Sequence, residues 1–454
     1  MTESNLSTQK REKFSNRFTF VLASVGGAIG LGNIWKFPYV VGKYGGAAFI
    51  VIYLIALLFV AVPILISEFA IGRKTNASYP TALKTLFPKS KWYLLGIIGV
   101  ISLTLTLSFY SGVAGWTVAY IFKSATSQYS GMEINKIGEV FGKFIGNPIE
   151  SIFWMFVMMI ITTFIVSKGV KKGIEKICNV LLPLLFILIL ILGIKSITLD
   201  GASKGLEFYL KPDFSQLSTE AVLAAIGQAF FSLGVGAGNL VIYGSYLDKK
   251  KTIGSSGILV ALGDTLAALL FGFIIFPAAF AYNIEAGMGP PLVFITLPAI
   301  FSQMKFGMVF ATTFFVLLFF ACLTSTICIM EAIVGYLVDE FKLTRNKATW
   351  ITAGIICFLG IFMMLSFSSM SDFLIFGRTI FDFTNDILVS ILLLPIGGLL
   401  MLYLIGWKLK PKNMIEEINF GKGIKISKYY YYTVKYIAPI AIIAMLLQMV
   451  GILK

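Results

Sequence analysis

The chain has 454 residues, 57% of them hydrophobic and 13% charged, with a formal net charge of +15. Those are not the proportions of a soluble globular domain, and lipid is the natural solvent for such a sequence. The positive charge does not argue for nucleic acid, because the basic residues lie between apolar stretches on alternate sides, where they report membrane topology. The absence of histidine removes the commonest general base and the commonest metal ligand.

Crossing a hydrocarbon core about 30 Å thick takes roughly 20 apolar helical residues. In chain order, spans are predicted near 17–41, 46–70, 93–124, 150–167, 174–197, 218–246, 255–283, 306–337, 348–366, 376–405 and 433–453. The expected organisation is a cytoplasmic tail at 1–16, five spans within 17–197, an extracellular linker at 198–217, five spans within 218–405, a cytoplasmic loop at 406–432 and an eleventh span at 433–454. Lys10, Arg11, Lys13 and Arg17 in the tail, and Arg73, Lys74, Lys168, Lys171, Lys172, Lys249, Lys250, Lys251, Lys408, Lys410 and Lys412 after even-numbered spans, mark the cytoplasmic side. The protein is then expected to be multi-pass in the cell's inner (plasma) membrane, with Lys454 outside. The polar tail before Phe18 and the glycines of the first span argue against a cleaved signal peptide. Cys178, Cys322, Cys328 and Cys357 fall in or beside apolar spans without CxxC spacing, so neither a disulfide framework nor a zinc site is indicated.

The first span contains SVGGAIGLGN (Ser24 to Asn33) and the sixth FSLGVGAGN (Phe231 to Asn239), and both end in GxGN. Such glycine density is poor for continuous helix. Glycines also serve close packing between membrane helices, but two clusters at corresponding places in the two halves favour paired helix breaks. Non-helical backbone at membrane depth needs partners for its freed carbonyls and amides. Ions and a zwitterion can be those partners, cations at exposed carbonyls and a carboxylate at a half-helix amino end.

GAIGLGNIWKFPY followed by GGAAF, GQAFFSLGVG, FPAAFAY and FFACLTSTICIM stand in that order. Together they resemble the neurotransmitter:sodium symporter family, from Arg11 to about Leu404, in its bacterial eleven-helix amino-acid transporter branch. The resemblance implies an all-α polytopic membrane protein of two inverted five-helix repeats with unwound helices 1 and 6, plus an eleventh helix. It implies sodium ions as coupled solutes, in two sites. The first would use the carbonyl of Ala28, Asn33, Ser232, Asp264 and the substrate carboxylate, and shared contact would couple the two binding events. The second would use the carbonyls of Gly26, Ile29 and Ala321 with the hydroxyls of Thr324 and Ser325, although membrane Ser and Thr also commonly bond their own helix.

Where chloride-dependent relatives carry an asparagine and, four residues later, a serine, this chain has Asp264 and Ala268. A fixed carboxylate supplies the charge chloride otherwise brings, so chloride-independent transport is expected, and Asp264 becomes a candidate to take up a proton when sodium leaves. A polar residue that packs the bundle is the alternative reading of Asp264. Gly30 replaces the aspartate of monoamine carriers, which points to an amino acid. Its carboxylate would meet the amides of Leu31 and Gly32 and the Tyr110 hydroxyl, and its ammonium the carbonyls of Ala28, Phe231, Ser232 and Gly234. Thr106, Tyr110, Phe231, Gly234, Ala237, Ser325 and Ile329 would wall the side-chain pocket. The small Ala237 favours a bulky hydrophobic or aromatic substrate.

Lys36 matches an outer-gate basic residue, with Asp386 or its rival Asp382 as partner. Arg11 with Asp339 resembles the inner ion pair, Phe14 the tail anchor, and Ser245 with Tyr246 their neighbours. Gly173 and Pro183 reproduce a Gly-x9-Pro spacing in span five. Glu68 reads as a polar strut for unwound backbone. An enzyme is not indicated, since HExxH and a GxSxG with plausible partners are lacking. The expected partners are a small amino acid, sodium and membrane lipid, not nucleic acid; a homodimer stays open. A sodium-dependent sensor or channel on the same scaffold is the alternative to a carrier.

Overall fold

The computed structural model describes residues 11–129, 131–284, 291–409, 411–426, 429–449 and 452. Lys10 and the rest of the tail before it, Lys410 and Lys454 lie outside the described residues. Among the described residues the secondary structure is helical, with two isolated β-bridges, Lys251 to Lys422 and Ile375 to Arg378.

Among the described residues, nine helices are long and apolar enough to cross a bilayer. A bent pair, Arg17–Ala28 and Gly32–Lys43, joins them as span one, its halves inclined by 60°. The interrupted pair Thr219–Ser232 and Asn239–Ser245 occupies the place expected of span six and takes that label. The others are Ala47–Thr75 (span two), Tyr93–Ala125 (three), Pro148–Ser167 (four), Val170–Ile197 (five), Ile253–Ala281 (seven), Gly307–Phe341 (eight), Arg345–Leu365 (nine), Ile380–Lys408 (ten) and Tyr430–Met449 (eleven). Polar side chains start several of them. Asn16 and Thr19 form a reciprocal capping box at span one, and Ser218 accepts from the Ala221 amide at span six.

The packing repeats itself. Span three lies against span eight, and exchanging one for six, two for seven, three for eight, four for nine and five for ten maps other contacts onto each other. Span three meets four as eight meets nine, three meets nine as eight meets four, and three meets ten as eight meets five. The first half of span one packs on seven as the first half of span six packs on two. The two halves enter from opposite faces: Lys43, ending span one, is 3.1 Å from Glu220 at the start of span six. Span eleven stands outside the repeat and is tied to span two by the hydroxyls of Tyr430 and Ser67.

Five shorter helices lie between spans: Tyr79–Leu86, Ile134–Gly146, Ala202–Leu210, Leu292–Gln303 and Pro411–Asn419. Ile134–Gly146 buries Ile137, Phe141 and Phe144, and Phe141 and Phe144 meet the Trp116 ring edge-on. Gly173 and Pro183 sit in a span that runs helically from Val170 to Ile197, so span five is wound through that spacing in this conformation.

Candidate functional site

Spans one and six lose their helical hydrogen bonds side by side. The first half of span one ends at Ala28, and Ile29 turns extended at φ −64°, ψ 117°. Asn33 restarts the chain. Its Oδ1 accepts the Gly30 amide at 3.0 Å while its own amide donates to the Gly30 carbonyl at 3.1 Å. In span six the helix stops at Ser232, and Gly234, Gly236 and Gly238 all adopt positive φ, of 61°, 103° and 74°. Side chains with a Cβ rarely tolerate that region. Glu68 of span two, fully buried, takes two amides released by the break: Gly236 at 2.7 Å on Oε1 and Leu240 at 2.9 Å on Oε2. The strut role read from sequence is thus a bidentate acceptor with named donors.

Asp264 of span seven joins the two breaks. Asn33 Nδ2 donates to its Oδ1 at 2.8 Å and Ser232 Oγ to its Oδ2 at 2.7 Å, all three residues being buried. The buried Tyr53 hydroxyl lies beside Ser232, Thr265 and Asp264, and among the described residues Gln228 Oε1 is buried without a hydrogen-bond partner. Gln228 Nε2 holds the Gly32 carbonyl at 3.3 Å. Buried polar atoms rarely stay unpaired, so Gln228 Oε1 is free to accept a further hydrogen bond. Tyr53 and Gln228 carried no role in the sequence reading. Gln228 stands inside GQAFFSLGVG, four residues before Ser232, and that helical spacing was the available signal.

A second polar cluster faces the first half of span one. Ser325 Oγ lies 2.7 Å from the Ile29 carbonyl, 3.1 Å from that of Ala321 and 3.5 Å from that of Gly26. One hydroxyl proton cannot satisfy three acceptors. Thr324 Oγ1 adds another oxygen, 3.0 Å from Ala321 O. Excess acceptor oxygen in a buried cradle is the chemistry of a hard-cation site.

Between the clusters, the Leu31 amide faces the Tyr110 hydroxyl at 3.4 Å. A Cβ at Gly30 would come within 2.7 Å of that hydroxyl and 2.9 Å of Ser325 Oγ, so the position has no room for a side chain. The Phe231 ring covers Gly32, where a Cβ would lie 3.0 Å from it. Gly234 opens on free space, with nothing within 4 Å of an added Cβ. Thr106 gives its hydroxyl to its own helix, at 2.8 Å from Ser102 O, which leaves its methyl as a wall. Ala237 is buried, its carbonyl against Gly99 of span three, and Ile329 is buried on span eight.

The gates differ. Arg11 Nη1 reaches Asp339 at 3.0 Å and the Asn76 carbonyl at 2.6 Å, with its guanidinium over the Tyr246 ring at 5.3 Å. Asp339 also accepts the Ser78 amide at 2.7 Å. Phe14 is buried against Phe20, Tyr243 and Tyr246. Glu12 accepts the Val170 amide at 2.7 Å, and Glu175 accepts that of Ser15 at 2.9 Å, so the tail is fastened to the start of span five. Ser245 bonds its own helix at Ile242 O rather than Arg11.

In this conformation Lys36 has neither Asp386 nor Asp382 at ion-pair distance; Asp386 is its electrostatic neighbour, and its ammonium lies 3.9 Å from the Phe231 ring centroid. Asp386 pairs with Arg378 at 3.1 Å and accepts from Asn385, while Asp382 accepts from Thr379 at 2.8 Å. The Arg378 guanidinium of the adjoining loop is the nearer cation for Asp386, and the Lys36 ammonium also rests over the Phe231 ring. Arg11→Ala is expected to raise the reactivity of a cysteine placed at the buried Ser78 (S78C) toward a polar thiol reagent roughly five- to tenfold, through loss of a partly buried pair; unchanged reactivity would show that the tail does not seal this face.

A model of the Sodium:neurotransmitter symporter family matches residues 11–137 and 125–454. The chain belongs to that family. An uncharacterized sodium-dependent transporter of Bacillus subtilis, YhdH, is 39% identical over 99% of this chain and 100% of its own length. One from Haemophilus influenzae is 34% identical over 99% of both. Among solved structures, the crystal structure of MhsT in complex with L-phenylalanine superposes with a TM-score of 0.88 at 39% identity, covering 96% of this chain and 99% of that one. The family member described here is therefore a multi-pass, sodium-dependent symporter of a small molecule and not an enzyme, and its fold is the one the sequence motifs implied.

Proposed function

We propose that this symporter carries a hydrophobic or aromatic L-amino acid into the cell across the plasma membrane, with sodium and without chloride, by alternating access. The carrying observation is that one buried carboxylate, Asp264, is hydrogen-bonded to residues of both helix breaks, Asn33 and Ser232. A cation bound there would have a fixed counter-charge, and the substrate carboxylate, anchored by the Leu31 and Gly32 amides and Tyr110, would complete its shell. The ammonium would turn to the carbonyls of Ala28, Phe231, Ser232 and Gly234. L-phenylalanine bound to the structural neighbour supports an aromatic amino acid, and the open space at Gly234 supports a large side chain.

A second sodium would rest on the oxygens around Ser325 and Thr324. The repeats at 17–197 and 218–405 would rearrange around the two ions, with the tail face cytoplasmic. Ser325→Ala, which removes one ligand oxygen, is expected to raise the sodium concentration for half-maximal uptake roughly tenfold; an unshifted sodium dependence would remove Ser325 from the site. The whole reading is tested by an uptake screen of the twenty amino acids into proteoliposomes, with sodium or chloride replaced. Saturable, sodium-dependent, chloride-independent accumulation that accelerates on exchange is expected. Non-saturating current would mean a channel, and binding without uptake a sensor.

A further inference from the structure

Away from the transport site, on the face that holds the tail, the connection between spans six and seven is knitted to that between ten and eleven. The Lys422 amide donates to the Lys250 carbonyl at 3.0 Å and the Thr252 amide to the Lys422 carbonyl at 3.4 Å, setting Lys251 beside Lys422 in a parallel bridge. Gly421, at φ +103°, makes the approach possible: a Cβ there would lie 2.7 Å from the Lys251 carbonyl carbon. Beneath them the Arg73 side chain, 0% exposed, donates to the Lys251 carbonyl at 2.6 Å, pairs with Glu417 at 2.7 Å and holds the Glu417 carbonyl. These bonds frame a cleft of about 480 Å³ lined by Lys249, Lys250, Lys251, Phe420, Gly421 and Lys422.

Among the described residues, none of the four ammonium groups has a carboxylate at ion-pair distance. Of the neighbouring acids, Asp248 accepts the Lys250 amide at 2.9 Å without an ion pair among the described residues, and Glu417 is held by Arg73. Like charges that line one cleft repel, and a buried arginine and a glycine at positive φ hold their backbones together. An anion relieves that repulsion, and a phosphate presents enough acceptor oxygens to meet several ammonium groups.

The position of the cleft selects the source of the phosphate. It sits where spans six, seven, ten and eleven end. Trp407, Tyr432 and Tyr436, at the nearby ends of spans ten and eleven, are 45%, 56% and 47% exposed, and Lys435 lies 5.8 Å from the Trp407 ring. Exposed aromatic residues beside lysines are what a protein places at the level of lipid headgroups. Phe420, 58% exposed, gives the same cleft an apolar wall. We infer that the cleft between the six–seven and ten–eleven connections binds the phosphate headgroup of an anionic membrane lipid.

The test uses the full chain purified from mixed phosphatidylglycerol and phosphatidylcholine, with native mass spectrometry of retained lipid. The wild type should retain phosphatidylglycerol in preference to phosphatidylcholine. K249Q/K250Q/K251Q/K422Q should lose that preference by about tenfold or more, since each lysine near a lipid surface contributes appreciably. The corresponding four-arginine variant should keep it, which separates charge from local folding. K136Q/K143Q, remote in sequence, should behave as wild type. Equal retention by the glutamine variant and the wild type overturns the inference. So does binding of inorganic phosphate at millimolar concentration without retained phosphatidylglycerol, which would make a free ion the ligand.

Discussion

Asp264→Asn is expected to reduce sodium-driven uptake in chloride-free medium by roughly 100-fold or more. The substitution keeps the shape of a side chain that is 0% exposed and removes its charge. A cation about 4 Å from a carboxylate gains about 4 kcal/mol at an effective dielectric of about 20, so even half of that attraction lost is a large penalty in ion affinity. The amide also brings an N–H₂ group between Asn33 Nδ2 and Ser232 Oγ, which both donate to Asp264 in the native protein. If the lost charge is the whole defect, added chloride should restore part of the uptake. Tracer flux into proteoliposomes with chloride or gluconate decides it. Unaltered chloride-free flux would end the proposal that Asp264 stands in for chloride.

Glu68→Gln should be nearly as damaging, for a different reason. Both Glu68 oxygens accept backbone amides of the broken span, so an isosteric amide must turn its N–H₂ toward Gly236 or Leu240. One buried donor is then left without an acceptor, at a cost of about 1–3 kcal/mol, and the charge assistance to the other bond is gone. Uptake is expected to fall roughly 10- to 100-fold, with a lower unfolding temperature in detergent in the absence of any solute. That second readout separates the two carboxylates: Glu68 supports backbone whether or not solutes are bound, whereas Asp264 should matter mainly through the ion. Wild-type unfolding and wild-type flux in the glutamine variant would make Glu68 a bystander.

Much of this architecture was legible in the chain because membrane burial makes sequence blunt. Spans announce themselves by length and hydropathy, and paired GxGN breaks are conspicuous where continuous helix is the rule. Boundaries moved by a few residues where capping rather than apolarity decides them: Pro148 follows the capping Asn147 at span four, and Phe306 in left-handed conformation precedes span eight. The short helices between spans were not foreseen, because Ile134–Gly146 is amphipathic and mixes Lys136, Glu139 and Lys143 with its apolar stripe. Within the site, the motif residues Asn33, Ser232 and Asp264 are hydrogen-bonded to one another. The acceptors for backbone amides were harder to see, since Glu12 with Val170 and Glu175 with Ser15 are pairings across about 160 residues that no local pattern encodes. That Arg378 shares Asp386 with Lys36 was likewise not legible, because proximity in a motif says nothing of a cation from the adjoining loop.

The fastenings of the two faces are unequal. Letting go of the tail means giving up an ion pair, a ring contact and several amide bonds across four spans, whereas lifting Lys36 off Phe231 releases a single cation from an aromatic surface. In the proposed cycle, opening toward the tail side therefore breaks the larger set of these contacts.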